Sequence, residues 1–167
     1  MSQSETAAHE LLQTLIGLGL TIATAESCTG GNIAHRLTLI PGASEAVKGG
    51  VVAYCNEVKR NVLGVSRESL ESLGAVSIPV VEQMASGACR ICHSDIAVAT
   101  SGIAGPGGGT TLKPVGTVCI AAASASGRII SDTYHFSGDR ADIIERATTT
   151  ALRLAGKLIE TSFHRIS

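Results

Sequence analysis

The feature that most constrains this chain is a short β-branched run that breaks at once into a glycine-bearing loop and a helical pattern. Thr21-Ile22-Ala23-Thr24-Ala25 reads as a strand, Glu26-Ser27-Cys28-Thr29-Gly30-Gly31 as a tight loop, and the residues to about Leu39 as a helix. A strand, loop and helix of this length cannot bury their apolar sides alone; further strands and helices must be layered on them. The rest of the chain supplies them. Leu11, Leu12, Leu15 and Ile16 recur at helical spacing before a stop near Gly17 or Gly19. Val51 to Tyr54 reads as a second strand, and Asn56 as the N-cap of a helix carrying Glu57, Lys59 and Val62 up to Gly64. Ser66 caps a short helix closed by Gly74, and Ser77 with Pro79 opens another that aligns Val80, Val81, Met84 and Ala88.

Asp95 to Thr100 is a buried strand, followed by the glycine-rich loop Gly102 to Gly109. Val115–Ala123 and Arg128–Phe136 flank Ser124-Ala125-Ser126-Gly127, a hairpin signal, and a helix from about Asp139 to Ser162 turns Ile143, Ile144, Ala147, Ala151, Leu154 and Leu158 inward. Strands separated by helices predict an α/β domain, and the late hairpin makes its sheet mixed. With no repeat or linker in view, residues 1–167 are expected to form one domain.

The 13 basic and 14 acidic side chains leave no cationic excess for a nucleic-acid backbone, and four aromatic residues offer little for base stacking. Nucleic acid is excluded as an expected partner. No run reaches the ~18 apolar residues of a membrane span, and the N-terminus lacks the pattern of a signal peptide. Five cysteines, an odd number set within helix and strand patterns, point to reduced thiols and a cytoplasmic protein.

The chemistry gathers on the loops. Ser27 lies between a strand end and a helix start, where unobstructed amides of Thr29, Gly30 and Gly31 suit a developing oxyanion; the plainer role for Ser27 is a helix cap. Cys28 is a rival nucleophile, or a small buried residue. A serine needs a base, and none of His9, His35, His93, His135 and His164 sits in a nucleophile motif, although His135 near a strand end could enter a site. Lys59 is the more economical partner, at the next strand-to-helix turn, where adjacent turns share a crevice. It would have to lose its charge by desolvation; the alternative is an ordinary solvated lysine. Tyr54 either tunes Lys59, holds substrate or packs in the core. The glycine-rich loop lacks the ending of a P-loop and the spacing of a dinucleotide fingerprint. Lys113 and Arg140 are candidate cations for a single phosphate. Cys89-Arg90-Ile91-Cys92 has no second cysteine pair or nearby histidines and reads as structural.

Taken together, Thr24 to Gly31, Tyr54-x-Asn56-x-x-Lys59, Ser101 to Pro106, Lys113 to Thr117 and Ser137-Gly138-Asp139-Arg140 resemble, in order, the motifs of the CinA C-terminal domain family over residues 8 to 160 or so. The resemblance implies a three-layer α/β/α domain and hydrolysis of nicotinamide mononucleotide to nicotinic acid mononucleotide and ammonia, as in the stand-alone NMN deamidases. It places the nucleophile on Ser27, the base on Lys59 and a further catalytic role on Tyr54. Glu26, Asn56, Gly102, Gly105, Gly108 and Arg140 are then expected to contact substrate. No metal or cofactor is implied, and a homo-oligomer is expected. A hydrolase of another small amide, or a non-catalytic member that binds a nucleotide or a partner protein, are the other functions such a chain could have.

Overall fold

The computed structural model describes residues 1–163; His164 lies outside them. Helix α1 (Gln3–Leu18) begins on a capping box between Ser2 and Glu5 and stops at Gly19 in the left-handed conformation. It is followed by β1 (Ile22–Glu26), α2 (Asn32–Thr38), β2 (Val47–Val52), α3 (Asn56–Asn61), α4 (Arg67–Leu73), α5 (Ile78–Cys92) and β3 (Ile96–Gly102). The hairpin β4 (Thr117–Ser124) and β5 (Ile129–His135) and the long α6 (Arg140–Ser162) complete the order.

The sheet runs β2-β1-β3-β4-β5. β1 pairs parallel to both β2 and β3, while β3–β4 and β4–β5 are antiparallel, so the expected mixed sheet with a late hairpin is present. Because side chains alternate across a strand, each inner strand serves two cores. Ile22, Ile96, Val98 and Ile120 meet α1, α2 and α6 on one face; Ala23, Ala25, Ala97, Ala99 and Ala121 meet α5 on the other. The alanine face lets α5 seat closely, and the same helix touches the turn after α3 so tightly that a Cβ on Gly87 would lie 2.0 Å from the Leu63 carbonyl oxygen. Helices on both faces make the domain three-layered. Among the described residues no helix is long and apolar enough to cross a membrane.

Two boundaries differ from expectation. β2 starts at Val47, four residues early, because the edge pairing with β1 extends through Lys48-Gly49-Gly50, where no apolar run marks a strand. Asn56 is the first residue of α3 and not its cap. The extended Cys55 holds the cap position, its carbonyl accepting from Lys59 N–H at 3.2 Å.

Candidate active site

Register brings the loops together. Glu26 at the end of β1 lies opposite Val52 on one side and Thr100 on the other, so the segments following β1, β2 and β3 share one end of the sheet. The main chain continues the pairing one step further. Ala53 N–H donates to the Glu26 carbonyl at 2.8 Å, and Ser27 N–H donates to the Thr100 carbonyl at 3.0 Å. Ser27 is thereby held at a rigid strand end, and α3 begins within three residues of the neighbouring strand end.

Lys59 lies on α3 with its side chain turned inward; it is 2% exposed, and Nζ donates to Ser27 Oγ at 3.0 Å. A second contact runs to the Tyr54 main-chain carbonyl at 3.4 Å. No carboxylate pairs with Lys59 among the described residues. Burial accordingly lowers its pKa below the usual lysine value, an effect opposed in part by the neighbouring thiol groups of Cys55 and Cys28. The pair therefore joins a hydroxyl to an amine that is biased toward the neutral, proton-accepting form.

Cys28 points the other way. It packs with the core formed by α1, α2 and α6, and burial pushes its thiol up to about 11, so at neutral pH it carries its proton. The rival nucleophile is set aside by this environment.

Glu26 does not line the crevice as expected. It is 1% exposed, and its carboxylate accepts from Thr29 Oγ1 at 2.7 Å, Ile33 N–H at 2.9 Å and Ala34 N–H at 3.1 Å. Those donors lie in the loop and the first turn of α2, where helix amides lack partners of their own. Thr29 Oγ1 also meets Thr100 Oγ1 at 2.8 Å, which ties the loop to β3. With its own proton directed at Glu26, Thr29 accepts from Thr100. Thr100 gave no sign of this role in the sequence, since a threonine inside an apolar strand reads as filler.

Of the three amides expected to face an oxyanion, Gly30 N–H is already bonded to the Ser27 carbonyl at 3.0 Å, closing the turn. The Thr29 and Gly31 amides have no acceptor among the described residues. Gly31 sits at φ +99° as the residue preceding α2, a conformation that side-chain-bearing residues rarely adopt.

Across the crevice, Arg140 at the first turn of α6 donates from Nη1 to the Gly105 carbonyl at 2.6 Å and from Nη2 to the Tyr54 hydroxyl at 2.9 Å. Tyr54 was expected to join the Ser27 and Lys59 pair, but it reaches Lys59 only through its main-chain carbonyl; its phenol is engaged by Arg140. Gly102 and Gly105 owe their lack of side chain to packing, because a Cβ would lie 2.6 Å from Val118 Cγ2 and 2.5 Å from Val115 Cγ1 respectively. Gly108 is a left-handed turn residue, and Asn56 faces a separate groove with Arg60, Arg67 and Leu70.

The remaining candidates are elsewhere. Lys113 Nζ donates to the Leu73 carbonyl at the end of α4, at 2.7 Å. His135 Nδ1 lies 3.3 Å from Thr117 Oγ1 on β5, three strands and so roughly 14 Å from β1. His35 borders a shallow groove with Thr29, Gly30 and Asn32, while His93 ends α5 in a left-handed conformation and His9 is an exposed residue of α1. Cys89 is buried with its thiol directed at the Ala123 carbonyl, 3.5 Å away, and all five cysteines are free. Among the described residues there is no cluster of three or more His, Cys, Asp or Glu suited to a metal. Asn32, directly after the double glycine, bonds Glu145 and Thr148 of α6, and Glu145 also receives Ser4 and Arg36, so α1, α2 and α6 converge behind the serine loop.

Fold and crevice define a class: a three-layer α/β domain carrying a buried serine–lysine pair at the carboxyl ends of its parallel strands. Within that class, the chain belongs to the CinA C-terminal domain family, whose model matches residues 4–159. It is 51% identical over 142 residues to a CinA-like protein of Mycobacterium sp. (strain JLS), covering 85% of this chain and 34% of that protein. A CinA-like protein of Fervidobacterium nodosum is 52% identical over 144 residues, covering 86% and 35%. The chain thus spans about a third of the length of these curated relatives. Among solved structures, the competence/damage inducible protein CihA from Agrobacterium tumefaciens superposes with a TM-score of 0.92 at 41% identity, covering 95% of this chain and 96% of that one. A CinA superfamily protein from Escherichia coli gives 0.88 at 35% identity, covering 93% and 90%.

Proposed function

We propose that this chain is an amidohydrolase that converts nicotinamide mononucleotide to nicotinic acid mononucleotide and ammonia, with Ser27 as nucleophile and Lys59 as general base. The observation that carries this reading is the 3.0 Å contact between a serine hydroxyl and a lysine amine that is 2% exposed and has no carboxylate partner among the described residues. Nothing in the fold requires that arrangement; a buried lysine with no counter-ion opposes folding and is retained where its neutral form has work to do.

In the reading proposed, neutral Lys59 accepts the Ser27 proton as the oxygen attacks the carboxamide carbon. The Thr29 and Gly31 amides, which have no acceptor among the described residues, are the donors available for the oxyanion. The lysine then passes its proton to the departing amine, ammonia leaves, and an acyl ester remains on Ser27. A water activated by Lys59 cleaves that ester to release the carboxylate product and restore the hydroxyl. The phosphate, remote from the reacting carbon, orients the substrate through Arg140 and nearby main-chain donors.

The test is ammonia release from nicotinamide mononucleotide, nicotinamide and glutamine by the unaltered protein, Ser27→Ala and Lys59→Ala. Turnover of the mononucleotide alone is expected, with each substitution lowering kcat by at least about 1,000-fold. Full turnover by both variants would remove the pair from the reaction, and preference for another amide would replace the substrate.

A further inference from the structure

Tyr54 is 62% exposed, an unusual state for an aromatic ring in a chain with only four of them, yet its tip is tied down. Arg140 holds the phenol oxygen at 2.9 Å while its other terminal nitrogen holds the Gly105 carbonyl at 2.6 Å. Tyr54 follows β2, Gly105 follows β3, and Ser27 follows β1, which pairs with both. Adjacent strands are about 4.8 Å apart, so a tyrosine rooted beyond β2 and linked through Arg140 to a carbonyl beyond β3 belongs to a bridge that spans the end of β1. Tyr54 is thereby rooted beside the serine–lysine pair, its carbonyl 3.4 Å from Lys59 Nζ, with its side chain tied at the tip and largely exposed. Tyr134 and Phe136 are stacked on each other at 5.8 Å beside the opposite edge strand, which leaves Tyr54 as the aromatic surface of the crevice among the described residues.

From this geometry we infer that Tyr54 is a specificity-determining residue whose exposed ring face receives the positively charged pyridinium ring of the substrate, selecting N-ribosylated pyridinium carboxamides over uncharged ones. The inference rests on the amidohydrolase reading for the identity of the ring. It assigns the tyrosine a role through its π face and not through its hydroxyl, consistent with a phenol that contacts Arg140 and neither member of the serine–lysine pair. A cation over an aromatic face is attracted by the ring quadrupole, and a tethered ring loses little freedom on binding it.

The experiment compares nicotinamide mononucleotide with its reduced dihydropyridine form, which keeps the carboxamide, ribose and phosphate but carries no ring charge. Equilibrium dissociation constants are measured by titration calorimetry on Ser27→Ala protein, so that no turnover intervenes. The charged form is expected to bind about 2- to 30-fold more tightly. Adding Tyr54→Leu is expected to bring that ratio close to one; Tyr54→Phe, which deletes only the hydroxyl, is expected to preserve it, and Tyr54→Trp to raise it. A ratio unmoved by Tyr54→Leu, a ratio abolished equally by Tyr54→Phe, or failure of the charged form to bind would each overturn the proposal. Because binding is read apart from ammonia release, a protein that keeps the leucine-sensitive ratio without hydrolysing the substrate overturns the hydrolytic reading and leaves the tyrosine's role standing.

Discussion

Replacing Glu26 with alanine removes the common acceptor of three hydrogen bonds, at 2.7, 2.9 and 3.1 Å, from a position that is 1% exposed. Thr29 retains Thr100 as a neighbour, but the Ile33 and Ala34 amides lose their partner in the first turn of α2. Each buried amide left unpaired costs about 1–3 kcal/mol, and water entering the vacated space recovers part of that, so a destabilisation of about 3 kcal/mol is expected. For a chain of this size that corresponds to a fall in Tm of roughly 6–12 °C. Glu26→Gln separates charge and hydrogen bonding from volume. Its oxygen can still serve Thr29 and Ile33, but its NH2 then faces the Ala34 N–H, donor against donor, at a cost of about 1–2 kcal/mol. Chemical denaturation of the three proteins measures the series, and amide hydrogen exchange at Ile33 and Ala34 localises it. The loop that carries Ser27 should also relax, lowering kcat more than it raises KM. An alanine variant within about 1 kcal/mol of the unaltered protein, with exchange at those two amides unchanged, would show that the carboxylate does not hold the loop.

Lys59 makes stability depend on pH in a definite direction. Its pKa is depressed by burial, so between that lowered value and the usual 10.5 the unfolded chain binds a proton the folded chain does not; stability therefore rises with pH across that window and is lost as pH falls through it. Lys59→Met should flatten that part of the stability curve in pH-dependent urea denaturation, and an unchanged slope would assign it to another group. Two glycine substitutions should act with opposite signs. Gly87→Ala in α5 drives a Cβ to 2.0 Å from the Leu63 carbonyl oxygen and should destabilise by about 2 kcal/mol or more, whereas Gly156→Ala in α6, with nothing within 4 Å, should stabilise by up to about 1 kcal/mol. Thermal unfolding of the two variants decides this, and destabilisation of equal size in both would contradict the close approach of α5 to the turn after α3.

Much of the fold was legible because local pattern reports burial directly. The β-branched run at 21–25, the helical spacing of Leu11, Leu12 and Leu15, and the Ser-Ala-Ser-Gly turn each mark an element whose apolar side must be covered, and all three are present. The edge strand was only half legible, since Lys48-Gly49-Gly50 owes its extended form to a neighbouring strand and not to its own side chains. At the crevice, Ser27 and Lys59 could be named from their place at successive strand-to-helix turns. The direction of each side chain could not. Glu26 turns beneath the loop to meet the amides of α2, and the Tyr54 phenol leaves Lys59 for Arg140, 86 residues along the chain.

By itself, the amino-acid sequence determined an aliphatic α/β chain with a mixed sheet and with hydroxyl, amine and glycine-rich loops at strand ends. Only the tertiary structure decided that β1 lies between β2 and β3, and with that order it brought residues 27 and 59 to 3.0 Å and excluded water from the lysine. The division is physical: periodicity is a property of neighbours along the chain, whereas hydrogen-bond partners and the desolvation of a charge depend on which strands lie side by side.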